Sequence, residues 1–137
     1  MFFISQNIKA QSEEQEIRET IYAQQAAWNE ADIDGFMSYY WESDSLQFVS
    51  KNGVTYGWES VKNNYKKSYN TKAKMGVLDF DKLKIELLTS AKDESNLAHV
   101  TGSWKVIQAD KNILSGYFSL VLKKIKGEWR IIIDHTS

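Results

Sequence analysis

The 137-residue chain has no cysteine and only two histidines. The missing thiols exclude disulfides, thiolate metal sites and a cysteine nucleophile. His99 and His135 stand too far apart in sequence to give a ligand spacing such as HxxxH, so no metal or other cofactor is expected. Neither sign of charge prevails. Seventeen Lys and Arg stand against 18 Asp and Glu, a formal net charge of −1, so nothing points to a nucleic-acid partner or an anionic membrane surface. No apolar run approaches the roughly 20 residues of a membrane-spanning helix, and no membrane insertion is expected. Glycine-rich phosphate loops and a G-x-S-x-G elbow are missing too, which removes phosphate cradling and Ser/His/Asp catalysis from the readings the residues support.

What is abundant is aromatic surface, with five Trp and seven Tyr in a chain of one-domain length. Large rings serve as ordinary core and can also wall a cavity. The last third carries the clearest pattern. Residues 97–106, 113–125 and 128–135 read as three successive antiparallel strands, with Leu114, Gly116, Phe118, Leu120 and Leu122 alternating against Ser115, Ser119 and Lys123. Asp110-Lys111-Asn112 and Lys126-Gly127 supply the turns. A sheet with one apolar face needs a cover, and the helical segments upstream provide it.

Residues 1–11 read as a flexible tail or as the remnant of a signal peptide, since Met1-Phe2-Phe3-Ile4 is apolar and a polar stretch follows Ala10. The second option implies an exported protein, the first a cytoplasmic one. Ser12 and Gln15 form a capping box for a first helix, whose stripe is Ile17, Ile21, Gln24 and Trp28. Gln24 is the polar member of that stripe. It either reaches solvent at the stripe's edge or offers a hydrogen-bonding group to a cavity. Asp32 caps a short second helix with Ile33, Phe36, Met37 and Tyr40 on its buried face. Residues 46–49 and 54–56 are two short strands around the turn Lys51-Asn52-Gly53. A third helix runs from Trp58 to about Tyr69, with Trp58, Val61, Tyr65 and Tyr69 on one face and Lys62, Lys66 and Lys67 towards water. Residues 76–89 form a long strand that changes phase. Leu78 and Phe80 share one parity while Leu83, Ile85 and Leu87 share the other, which predicts a bulge near Asp81-Lys82 and a curved sheet able to hold a hollow.

Several segments resemble the nuclear transport factor two-like superfamily, which includes SnoaL-like and ketosteroid isomerase-like proteins. They are Ala26-Ala27-Trp28-Asn29-Glu30-Ala31-Asp32, Tyr39-Tyr40-Trp41-Glu42-Ser43-Asp44-Ser45, Gly57-Trp58-Glu59-Ser60-Val61 and Gly127-Glu128-Trp129-Arg130-Ile131. The ending Asp134-His135-Thr136-Ser137 is similar to that of an uncharacterised subfamily of short bacterial members. The resemblance covers residues 13–137, and the domain is placed at 12–137. It implies an α+β fold, a conical curved antiparallel sheet packed on three N-terminal helices, with a pocket between helices and sheet and usually a dimer. Fold does not settle function in such a superfamily. The ketosteroid isomerase chemistry uses an Asp base and a Tyr plus a protonated Asp. In the resemblance the oxyanion-hole Tyr falls on Gln24 and the base near Phe48-Val49, and none of these performs that proton transfer.

The residues therefore name no reaction. The leading expectation is a domain that binds a small apolar or amphipathic molecule, with Gln24, Trp28, Tyr40, Trp41, Phe48, Trp58, Tyr65, Trp104 and Phe118 as candidate pocket wall. The enzyme alternative is a cofactor-independent isomerase or lyase using His135. This residue shares strand parity with Trp129, Ile131 and Ile133, whereas the adjacent Asp134 points to the opposite face. A structural His at the rim of the core is the simpler reading of the same residue. His99 falls outside the pocket by parity. A protein-interaction module without catalysis is the third class. The outer face of the sheet, with Ile113, Ser115, Tyr117, Ser119 and Val121 beside His99, Thr101, Ser103, Lys105 and Ile107, suits a flat, moderately polar homodimer contact.

Overall fold

Neither glycine nor proline interrupts residues 2–29, so nothing in that stretch stops a helix once it has started. A single helix, α1 (Phe2–Asn29), occupies it in the computed structural model, which describes residues 2–88 and 96–137, with side chains from residue 8 onward. This corrects the expected start at Ser12. The capping box lies inside a continuous helix that also takes in residues 2–11. The expectation for the side chains of residues 1–4 lies outside the described residues. α1 ends where Ala31 adopts a left-handed φ of 59° and the Asp32 N–H donates to the Ala27 carbonyl at 2.9 Å. Asp32 then caps α2 (Ile33–Met37) as expected, its Oδ1 accepting from the Gly35 N–H at 2.8 Å.

The strands β1 (Gln47–Ser50) and β2 (Gly53–Tyr56) form a hairpin, and α3 (Trp58–Ser68) follows. A fourth helix, α4 (Lys72–Met75), is one turn long and was not anticipated. It is capped by Thr71, whose hydroxyl accepts from the Lys74 N–H at 3.1 Å. Gly76 turns the chain into the sheet with a φ of 60°, and a Cβ there would sit 2.1 Å from the Ile107 carbonyl oxygen. The long strands β3 (Val77–Leu87), β4 (Leu97–Ile107), β5 (Ile113–Ile125) and β6 (Glu128–Thr136) complete one sheet in the order β2-β1-β6-β5-β4-β3. The far end of the strand expected over residues 76–89, at Thr89, lies outside the described residues.

The α+β architecture is the expected one, with one correction. The sheet is mixed, because β1 runs parallel to β6 while all other pairs are antiparallel. Turn signals fix the direction of strands joined by a hairpin. β1 and β6 are separated by most of the chain, and no turn constrains their sense.

α1 lies across β3 and is fastened to it by side-chain bonds that take up backbone groups of the strand. The Leu78 N–H donates to Asn29 Oδ1 at 2.7 Å, Asn29 Nδ2 donates to the Leu78 carbonyl at 3.0 Å, and the Phe80 N–H donates to Gln25 Oε1 at 2.6 Å. Towards its other end, the buried Glu13 carboxylate accepts from Lys124 Nζ at 2.9 Å and Trp129 Nε1 at 3.0 Å, which ties the helix to β5 and β6. Between these anchors Ile17 and Ile21 are fully buried against Leu122 and Ile131 in the apolar core.

Two bulges give the sheet its curvature. The expected one in β3 is present. The pairing with β4 slips between Asp81 and Lys84, and Lys82 has a φ of 56°, so Leu78 and Phe80 and then Leu83, Ile85 and Leu87 all pack on the core. The second, in β6, leaves Ile132 unpaired, since Val121 faces Ile133 and Leu122 faces Ile131.

Candidate functional site

The hollow between α1, α2, α3 and the concave sheet is a cavity of about 470 Å³. α1 contributes Gln24 and Trp28 from its buried stripe, the α2 region contributes Phe36 and Tyr40, and α3 contributes Tyr65. Inward positions of the strands supply Phe48, Phe80, Trp104, Phe118 and Asp134. The rings pack edge to face. Trp28 meets Phe36 at 5.0 Å and Tyr65 at 5.8 Å between centroids, and Phe48 meets Tyr65 at 5.8 Å. The Trp28 Nε1–H is spent on the Met75 carbonyl at 2.9 Å, so that indole is fixed in place and offers the cavity only its apolar surface.

The structure brings together seven of the nine expected wall residues: Gln24, Trp28, Tyr40, Phe48, Tyr65, Trp104 and Phe118. Trp41 and Trp58 are elsewhere. Trp41 follows the loop after α2, where its N–H donates to the Ile131 carbonyl at 2.9 Å. Trp58 opens α3 with its Nε1–H on the Met37 carbonyl at 2.9 Å and with Lys62 Nζ 4.8 Å above its ring. The Trp41 backbone thus ties the loop after α2 to β6, and the Trp58 indole ties α3 to the end of α2.

His135 is also misplaced by the sequence reading, and the β6 bulge is the reason. Strict alternation from Trp129 and Ile131 carries His135 inward. The extra residue at Ile132 reverses the parity, so His135 is exposed on the outer face opposite Ser119 and Asp134 faces the cavity. A base role for His135 inside the cavity is thereby removed. His99 lies on the outer face as its parity indicates, with Nε2 and Ser119 Oγ at 2.7 Å.

Asp134 is the cavity residue that alternation missed. It is 4% exposed, and both of its oxygens accept from hydroxyls, Oδ2 from Tyr40 at 2.6 Å and Oδ1 from Thr136 at 2.5 Å. The Tyr65 hydroxyl stands near that of Tyr40. Burial raises the Asp134 carboxyl above the usual carboxylate range, and the Thr136 and Tyr40 hydrogen bonds pull it partly back. Burial, with the Asp134 charge beside them, raises both tyrosines far enough that they remain O–H donors. The one trace of this in the sequence is the run Ile131-Ile132-Ile133, which the alternation reading passed over. Three consecutive apolar residues in a half-buried strand are a place where alternation can break.

Gln24 is 2% exposed, and its Nε2 is a buried polar side-chain nitrogen with no hydrogen-bond partner among the described residues. Among the described residues no group of His, Asp and Glu is arranged to hold a metal ion, and no helix is long and apolar enough to cross a membrane.

No protein-family model matches this chain, and no curated protein matches it. Solved structures do. An NTF-2-like protein of unknown function from Shewanella oneidensis MR-1 is 31% identical, with a TM-score of 0.81 over 90% of this chain and 97% of that one. An NTF2-like protein of unknown function from Pseudomonas putida KT2440 is 16% identical with a TM-score of 0.75, over 93% of this chain and 87% of that one. A protein of unknown function with a cystatin-like fold from Nostoc punctiforme is 14% identical with a TM-score of 0.67, over 88% and 86% of the two chains. The last two share the fold. The identity to the Shewanella protein, sustained over nearly the whole of both chains, makes this chain a member of the NTF-2-like family.

Proposed function

We propose that this domain binds a small, largely apolar molecule in the cavity between its helices and sheet. The observation that carries this reading is the Gln24 amide. A buried N–H₂ group without an acceptor costs stability of about 1–3 kcal/mol, and an acceptor on a bound molecule offsets that cost. The aromatic wall and the cavity's size support the same reading, since ligand pockets typically span roughly 300–1,000 Å³ and combine an apolar lining with a few polar groups. Titration calorimetry with the neutral probe 2-naphthylethanol tests it, using wild type and Gln24→Leu. Binding to wild type should weaken by about tenfold in Gln24→Leu, the loss of one hydrogen bond of about 1.4 kcal/mol, while the midpoint of urea unfolding holds or rises. A variant that binds equally well, or that unfolds much more readily, assigns Gln24 to structure and removes the ligand role.

We also propose that two copies of the chain pair through the outer face of the sheet. Tyr117 and Ile113 are 64% and 58% exposed there, among Ser115, Ser119, Thr101 and Ser103. Hydroxyls mixed with exposed apolar groups suit a contact of moderate polarity, and two-fold symmetry is the default for self-association.

A further inference from the structure

Asp134 is a buried carboxyl group in the lining of an aromatic cavity, held by hydrogen bonds and, among the described residues, by no ion pair, with His135 acting on it only as a charge at a distance. The Tyr40 and Thr136 hydroxyls use two of the roughly four acceptor positions on its oxygens and bring no positive charge. Among the described residues, no Lys, Arg or His nitrogen lies at ion-pair distance from it. His135, its neighbour, is on the opposite face, and Lys67 lines the cavity as an exposed residue of α3 without pairing with it. A buried carboxylate without a counter-charge is costly, and charges in protein interiors are ordinarily paired.

The surroundings of Asp134 are rings. Phe48 is its register partner across β1 and β6, Tyr40 donates to it, Phe36 lies 5.8 Å from Tyr40 and 5.2 Å from Tyr65, and Tyr65 lies 5.8 Å from Phe48. A carboxyl group beside several aromatic rings in one cavity suits an organic cation, because rings attract positive charge that the carboxylate then pairs.

We propose that the ligand is an amphipathic amine, an apolar and preferably aromatic body carrying one ammonium group, with the ammonium held by Asp134 among Tyr40, Tyr65, Phe36 and Phe48. This inference rests on the cavity being a ligand site and adds the charge of what it takes. The two polar features then divide the ligand between them: Asp134 receives the cation, and Gln24 Nε2 donates to an oxygen acceptor elsewhere on the molecule.

Three matched probes separate this inference from the reading beneath it. They are 2-naphthylethylamine, 2-naphthylethanol and 2-naphthylacetate, which share a ring system and differ in charge. Titrated into the wild-type protein at pH 7, the amine should bind at least tenfold more tightly than the alcohol, and the acetate most weakly. In Asp134→Asn the advantage of the amine over the alcohol should vanish. Equal affinity of amine and alcohol in wild type overturns the inference and leaves the cavity reading standing. So does tighter binding of the acetate, or an amine preference that survives in Asp134→Asn. Failure of all three probes to bind overturns both. If the variant does not fold, the wild-type ratio of amine to alcohol decides alone.

Discussion

At the scale of single residues, Asp134 and Gln24 are both inconsistent with a core optimised for stability alone. Among the described residues one is a carboxyl group without an ion-pair partner and the other an amide donor without an acceptor, yet both are buried. Such departures are expected where function has set the residue. For Asp134 the cost has a pH signature. Its carboxyl is raised in the folded protein, so the fold holds that proton more tightly than the unfolded chain does. The stabilisation from the neutral form is fully present below the unfolded value of about 3.9 and is lost as pH rises through the higher folded value. Urea unfolding of wild type and Asp134→Asn, compared at pH 3.5 and pH 7, should therefore show the variant gaining on wild type as pH rises. A stability difference that is constant with pH, or that moves towards wild type, contradicts this account of Asp134.

At the scale of elements, most of the architecture was legible in the chain, and the errors have specific causes. Asp32 announced α2 because its side chain caps the helix whatever surrounds it. Leu78 and Phe80 against Leu83, Ile85 and Leu87 announced the β3 bulge because two clear runs of opposite parity flank it. The β6 bulge was hidden, since Ile131, Ile132 and Ile133 are chemically alike and the residues themselves do not say which is extra. That single ambiguity exchanged His135 for Asp134 in the site. The Ser12 box failed for a different reason: capping residues permit a helix start, but only a breaker enforces one, and none lies upstream. Trp41 and Trp58 have the composition of pocket residues. Their backbone and indole N–H groups were claimed by the Ile131 and Met37 carbonyls, contacts that depend on tertiary approach and that no local pattern carries.

At the scale of the whole molecule, the curved sheet separates two surfaces of different character. The concave face holds the cavity with Gln24 and Asp134, and the outer face holds Tyr117, Ile113 and the His99–Ser119 pair. The proposed pairing of two copies through the outer face predicts a dimer mass by sedimentation at micromolar concentration and a shift towards monomer in Tyr117→Glu. A monomer mass for wild type, or an unchanged dimer in the variant, removes that interface. The cavity itself is tested most directly by two-dimensional ¹⁵N NMR during titration with 2-naphthylethanol, because the Gln24 side-chain amide reports on its own environment. The account predicts that the Gln24 Nε2 resonances and the Trp104 indole N–H move together with a common Kd, while the Trp58 indole and the amides of residues 113, 115 and 117 stay in place. Shifts confined to the outer face, or none at millimolar probe, would contradict it.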